Sequence, residues 1–399
     1  MPRNRVIYQS EALFVTALAS GGRGIDIVNG AHTSNMVPHI GSGSMHQIHR
    51  VQSANYSFSI ARQDVNQFGT LARIDTAVIE APTVSLDFSY LLTDGTNEAK
   101  LGISADAQWA ESAISGVLAN TSGRNYHILT VSEGQDANTD SNSAGAESSS
   151  TSSVISIGNG YITNYSVEGS VGGLPTASVS VEGLNIRSDT ASLSMSTPSI
   201  DPSAGVEGSC TYHLPHPVTG VVGATLRPGD IQLNLGDPAV ITDLSDGADG
   251  NSAHIQSFTI DVPLGRSNIQ KLGNAFGFAR EIDFPVTVNV GISAIVADLK
   301  AGTLFDELYA EQKHELQIVM RSPSNAGAGQ GSDQIAFKIK NAQLESESFS
   351  SSIGDNKTVD LSFSATVGGP EDNTNGLFIS GNNIEAEAVD FLERAITEV

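Results

Sequence analysis

Two pairs of stretches in this chain of 399 residues match each other without a gap. Phe68–Leu92, FGTLARIDTAVIEAPTVSLDFSYLL, lies against Leu272–Val296, LGNAFGFAREIDFPVTVNVGISAIV. Asn159–Glu182, NGYITNYSVEGSVGGLPTASVSVE, lies against Asn341–Ser364, NAQLESESFSSSIGDNKTVDLSFS. The blocks come in the same order in both halves. A unit of roughly 200 residues is far too long for a solenoid repeat, so the pattern reads as two fused copies of one domain. Fused copies often replace a symmetric assembly of single copies, which points toward a ring.

The matched positions carry a strand pattern. Val167 meets Phe349, Val179 meets Leu361 and Val181 meets Phe363, while Val84, Leu86 and Phe88 meet Val288, Val290 and Ile292. Apolar and polar residues alternate from Ala177 to Val181 and from Val359 to Phe363, the period of a strand with one buried face. Gly172-Gly173 and Gly354-Asp355 fall where each strand turns back, so both copies read as hairpins. Upstream, Ser57-Phe58-Ser59-Ile60 resembles Ser257-Phe258-Thr259-Ile260. The first block repeats at an offset of 204 and the second at 182, so copy one holds 22 extra residues. The Ser-rich segment Ser132–Ser153 has that length and no apolar period, and reads as an insertion in a surface loop.

Short alternating strands separated by Gly, Asn, Asp and Ser place the chain in the mainly β class, as two tandem sandwiches or barrels. Each copy also carries one expected flanking helix. In the first it is Ser104–Ala119, N-capped by Ser104, with Trp109, Ala113, Ile114, Val117 and Leu118 on one face. In the second it is Leu299–Glu311. The boundaries are residues 1–50, an arm with a first strand at Ala12–Leu18; 51–190, the first domain, with 132–153 inserted; 191–220, a Ser- and Pro-rich linker; and 221–399, the second domain. The last segment, Ile384–Val399, is an amphipathic helix. It packs on its own domain in the plainer reading and docks on a neighbour in the other.

Net charge is −24, and the second half is the more acidic: residues 1–200 hold 9 basic and 17 acidic groups, residues 201–399 hold 11 and 27. Lys and Arg occur singly, with no basic run to grip a phosphate backbone. An acidic wall still suits a conduit for DNA, because repulsion keeps the polymer from sticking. The lone Cys210 rules out an intrachain disulfide framework. No secretory signal and no span of membrane length are read, so the expectation is a soluble product of a cytoplasm, with no membrane partner.

Candidate sites are weak. Cys210, His213 and His216 match no common zinc spacing, and His46 and His49 are weaker still. Asp136, Asn138, Asp140, Asn142 and Glu147 sit at EF-hand intervals, but Ser141 replaces the needed glycine, so a solvated loop is the reading. Asp243, Asp246 and Asp249 form an acidic turn of the same kind. No nucleophile elbow, phosphate loop or dinucleotide fingerprint is present. No catalytic, cofactor or metal site is expected, and the chain does not read as an enzyme.

The segments GYITNYSVEGSVGGLPTASVSVEG and VIEAPTVSLDFSYLLTDG resemble the major tail tube proteins of long-tailed phages, in the version with two fused units. The resemblance implies β-sandwich units with one helix each, six of which close a ring around a continuous inner barrel. Three double-unit chains would then make one ring. It further implies a virion tail assembled in a host cytoplasm. The implied partners are other copies of the chain, the tape measure protein, tail terminator and baseplate proteins, and double-stranded DNA in passage. The alternative is a phage attachment protein whose loops bind a host glycan, but the clustered loop aromatics of that class are missing.

Overall fold

A computed structural model of the chain describes residues 11–19, 23–24, 46–79, 82–104, 109, 112–114, 117, 123–130, 153–190, 225–235, 254–269, 272, 279–295, 313–323, 331–350, 358–369 and 372–381. In the N-terminal half the strands are β1 (Glu11–Ala19), β2 (Arg23–Gly24), β3 (His46–Gln47), β4 (Val51–Ser59), β5 (Arg62–Val65), β6 (Asp75–Val78) and β7 (Thr83–Leu91). After helix α1 (Thr96–Leu101) come β8 (Arg124–Thr130), β9 (Ser153–Ser170), β10 (Thr176–Gly183) and β11 (Asn185–Thr190). The C-terminal half holds β12 (Ile231–Leu235), β13 (His254–Pro263), β14 (Arg266–Ile269), β15 (Ala279–Ile282) and β16 (Thr287–Ile295). It continues with β17 (Lys313–Arg321), β18 (Asp333–Ser350), β19 (Thr358–Thr366) and β20 (Gly376–Gly381). The fold is mainly β, as the alternating pattern predicts.

One hydrogen-bonded path runs β4-β7-β10-β9-β13-β16-β19-β18. This inner layer turns Val84, Leu86, Phe88 and Tyr90 of β7, and Val288, Val290 and Ile292 of β16, into a core. Outer strands cover that face. In the N-terminal half they are β1, β8, β11 and the start of β9. In the C-terminal half they are β12, β17, β20 and the start of β18. Phe88 of the inner layer meets Tyr126 of the outer at 6.1 Å between ring centroids, and His314 meets Phe363 at 6.2 Å. The two long strands β9 and β18, 18 residues each, pass from the outer layer into the inner one. Gly172 makes the β9–β10 turn at φ 85°, a conformation that glycine adopts without the Cβ clash other residues meet.

Pairing registers recur between the halves. Ser53 faces Ser89 as Ser257 faces Ser293, both after a bulge, at an offset of 204. The hairpin pair Arg62 and Val78 recurs as Arg266 and Ile282 at the same offset. Arg124 faces Gly160 as His314 faces Ala342, each next to a bulge, at 190 on β8 and β17. Asn164 faces Ser180 as Ser346 faces Ser362, at 182.

These registers correct one sequence expectation. The partner of Ser257-Phe258-Thr259-Ile260 is Ser53-Ala54-Asn55-Tyr56, not the segment at 57–60. The Ser-rich segment Ser132–Ser153 lies outside the described residues except for Ser153. The offset between matching strands is 204 for β7 and β16, 190 for β8 and β17, and 182 for β10 and β19.

Most of the first expected helix lies outside the described residues; within its span Ser104, Trp109 and 112–114 are not helical and Val117 is. A short helix, α1, stands at Thr96–Leu101 between Gly95 and Gly102, both left-handed. The Ser104 backbone N–H bonds the Ala113 carbonyl at 2.8 Å. Trp109 has φ 56° and sits under Lys338, 5.8 Å from ammonium to ring centroid. Ala113 donates to the Leu377 carbonyl at 2.7 Å, and Lys340 Nζ to the Trp109 carbonyl at 2.8 Å. This stretch therefore straps the N-terminal half to β18 and β20 of the other. The first strand belongs to the outer layer, where Leu13, Phe14 and Val15 are buried against β8. The expected helices at 299–311 and 384–399, the linker at 191–220 and the turn at Gly354-Asp355 lie outside the described residues.

Candidate assembly interface

One face of the inner layer is left uncovered by the described residues, and its composition is narrow. Ser53, Ser89, Ser178, Ser166, Asp261, Asn289 and Ser364 stand side by side in one row across it. A second row begins Asn55, Asp87, Ser180, Asn164. Serine hydroxyls bond across strands, Ser53 to Ser89 and Ser57 to Ser85, each at 2.7 Å. Glu168, Glu182 and Asp360 share this face. No lysine or arginine occurs in β4, β7, β10, β13, β16, β19 or the inner parts of β9 and β18. The outer strands hold the bases instead: Arg124, Arg187, Lys313, Arg321, Lys338 and Lys340. The scatter of single Lys and Arg along the sequence thus hides a segregation by layer.

The two halves meet where β13 pairs with β9. Ile260 faces Val167, and Val262 faces Tyr165. Leu264 N–H adds a bond to the Thr163 carbonyl at 2.8 Å. Ile260 and Val262 are 0% exposed and Val167 is 1%. Polar groups fasten the rim: Asn164 Nδ2 donates to Asp261 Oδ1 at 3.0 Å, and Arg280 pairs with Glu182 at 3.0 Å. Beneath the seam, Tyr90 and Tyr165 both donate to Glu98 Oε1, at 2.8 and 3.2 Å. Burial pushes the Glu98 carboxyl above its ordinary range, against the pull of the two phenols.

Among the described residues the path ends on two edges with no further strand beside them, β4 and the inner part of β18. By register, Tyr56 and Phe58 of β4 hold the places of Ile260 and Val262, and Phe349 of β18 holds that of Val167. They face the core side yet are 46%, 46% and 40% exposed. Glu347 stands where Tyr165 does, and partial burial raises its carboxyl. The β5–β6 and β14–β15 hairpins also expose apolar groups at matching positions, Val65 and Phe68 in one, Ile269 and Leu272 in the other.

Cys210, His213, His216, Asp136, Asn138, Asp140, Asn142, Glu147, Asp243, Asp246 and Asp249 lie outside the described residues. His46 sits on β3 opposite Val15, and the His49 backbone is clamped by the Asn97 amide at 2.9 Å on both sides. Among the described residues no cluster of His, Cys, Asp or Glu is placed to hold a metal ion, and no helix is long and apolar enough to cross a membrane. The open edges were missed because exposure of an apolar strand residue depends on which strand borders it, which periodicity does not reveal.

No family model and no curated protein matches this chain. Among solved structures, similar chains come from the tail of an empty GTA particle refined with C6 symmetry (12% identity, TM-score 0.24) and the SPP1 tail tube (13%, 0.26). A third is an Hcp protein (8%, 0.23). The matches cover 38%, 44% and 37% of this chain and 96%, 86% and 95% of those chains. At these scores the likeness carries no weight for the role of this chain.

Proposed function

We propose that the chain is a structural protein of a phage tail tube: two tandem β-sandwich units that form one third of a ring. The observation that carries this reading is the contrast between the buried β9–β13 seam and the open edges β4 and β18, whose core-side aromatics are exposed. Edge strands of this kind invite pairing with another chain. A contact that joins β18 of one copy to β4 of the next is heterologous, and it closes into a ring if its rotation permits. Copying the seam sets the register: Asn55 opposite Ser350, Tyr56 opposite Phe349, Ser57 opposite Ser348, Phe58 opposite Glu347. The sequence resemblance sets the number at three chains.

In such a ring the serine-rich, acidic face lines the bore. Its lack of bases favours passage of DNA, since sticking would need Lys or Arg. The exposed apolar hairpins are then the contacts between stacked rings. The tape measure, terminator and baseplate proteins are the partners this role requires, in a virion tail assembled in a host cytoplasm. Electron microscopy of the purified protein tests the reading. Rings or tubes of three- or sixfold symmetry are expected, and a protein that stays monomeric at high concentration contradicts it.

A further inference from the structure

The charged clasp at the seam has a counterpart divided between the two ends of the chain. At the seam the carboxylate comes from the N-terminal half and the arginines from the C-terminal half. Glu182 of β10 pairs with Arg280 at 3.0 Å. Arg266 and Arg280 lie over the ring of Tyr161, at 4.8 and 5.6 Å. Tyr161 of β9 stands directly opposite Glu182. The clasp therefore fills the corner where β9 and β10 meet the β14–β15 hairpin.

By register, Arg62 holds the place of Arg266. Each is the first residue of its hairpin strand, opposite Val78 in one and Ile282 in the other. Arg62 is exposed with the rest of β5 and makes no ion pair among the described residues. The other arginine of that hairpin, Arg73, is engaged by Asp64 at 3.1 Å. At the far end of the chain, Gln343 and Ser364 take the places of Tyr161 and Glu182 and again stand opposite each other. The carboxylate lost at Ser364 returns from the neighbouring strand. Glu345 is the extra residue of the bulge between Leu344 and Ser346, and the Ser364 hydroxyl donates to its Oε1. Its counterpart in the N-terminal half, Thr163, is uncharged and donates to the Ser180 carbonyl at 3.2 Å. Glu345 is exposed, and its carboxylate keeps lone pairs for a further donor. One open edge thus carries an acid, and the other a base, at the same corner.

We propose that Glu345 of one copy pairs with Arg62 of the next, as the interchain counterpart of the clasp at the seam. The pair rests on the assembly reading and its β18-to-β4 register. Continued past Phe58 and Glu347, that register sets Arg62 opposite Gln343, beside Glu345. The aromatic groups of the edges supply the buried area. The opposite charges fix polarity and register, favouring β18 against β4 over either edge against its own kind.

The test compares the full chain with Arg62→Glu, Glu345→Arg and the two combined. Sedimentation gives the concentration at half assembly, and chemical denaturation gives stability. Each single reversal sets like charges together and is expected to raise that concentration about tenfold or more. Exchanging both charges should return it to within about threefold of the parent, because the pair is restored in reverse. Denaturation midpoints should stay at the parent value throughout, since both side chains are exposed. Single variants that assemble like the parent overturn the pair. So does a combined variant whose defect is the two single defects compounded. Both outcomes leave the ring reading in place, whereas a parent chain that does not assemble removes that reading and the pair with it.

Discussion

The seam within the chain and the two edges at its ends are built on one register but finished differently. At the seam, Ile260, Val262, Val167 and Tyr165 are fully buried and the rim is fastened by Asn164 with Asp261 and by Arg280 with Glu182. At the edges the same places hold Tyr56, Phe58, Phe349 and Glu347, while serines, Ser57 and Ser346, replace the Asp261 and Asn164 pair. Serine is too short to bridge as Asn164 does. The seam is thus locked by directional polar contacts, whereas the edges offer aromatic area, which gains free energy only when water is removed from both sides. A contact of the second kind suits assembly between separate chains, since it leaves each chain soluble until a partner arrives.

The comparison breaks most visibly under a charge. Ile260→Asp should destabilise the single chain by about 4 kcal/mol or more, because a carboxylate would be buried without a partner. Tyr56→Asp, at the corresponding edge, should cost the single chain less than about 1 kcal/mol and yet abolish assembly. Chemical denaturation and sedimentation of both variants check the pair. If Tyr56→Asp assembles normally, β4 is not an interface.

A pH series sharpens the seam itself. Glu98 keeps its proton in the folded chain at pH values where the unfolded chain, near the ordinary 4.5, has released it. Its contribution to stability is therefore complete below that value and lost as pH rises through the raised one. Glu98→Gln should flatten this decline, read as denaturation midpoints from about pH 4 to pH 8. A decline unchanged in Glu98→Gln would place its source elsewhere.

Smaller effects separate the rims. Asn164→Ala should cost about 0.5–1.5 kcal/mol, the worth of one hydrogen bond, and Ser346→Ala within about 0.5 kcal/mol. Equal costs would mean that the Asn164–Asp261 bond does not distinguish seam from edge. Least disturbing to the fold is Ser178→Lys with Ser362→Lys on the exposed serine face. Stability should stay within about 0.5 kcal/mol, while retention of double-stranded DNA by assembled protein should rise and then fall with added salt. DNA retention equal to that of the unsubstituted protein would remove the electrostatic argument for the bore.

Much of the inner layer is legible in the chain. The alternation at Ala177–Val181 and Val359–Phe363 becomes β10 and β19, and Gly172 becomes the turn between β9 and β10. Where the reading slips, the cause is physical. Matching Ser57–Ile60 to Ser257–Ile260 shifts the true register by four, an even number, so every side chain keeps its face and periodicity cannot object. The stretch with Trp109, Ala113 and Ile114 has helical spacing, and Ala113 and Ile114 are indeed buried, but the Ala113 N–H goes to Leu377 across the chain. Burial was readable there and conformation was not, because a distant strand supplied the partner.

The most direct test of the account is a cross-link across the open edges. In a Cys210→Ala background, Ser57→Cys and Ser348→Cys are joined on one chain. Their counterparts at the seam, Asp261 and Ser166, are direct partners, and they alternate with pairs such as Leu264 and Thr163 that exchange the hydrogen bonds. Partners of this kind sit about 4.5 Å apart at Cα, within the reach of a disulfide. Mild oxidation should then yield a closed trimer of chains as the end product, with neither single-cysteine variant passing beyond a dimer. A double variant that stays monomeric under oxidation, while its stability and secondary structure match the parent, would contradict the account.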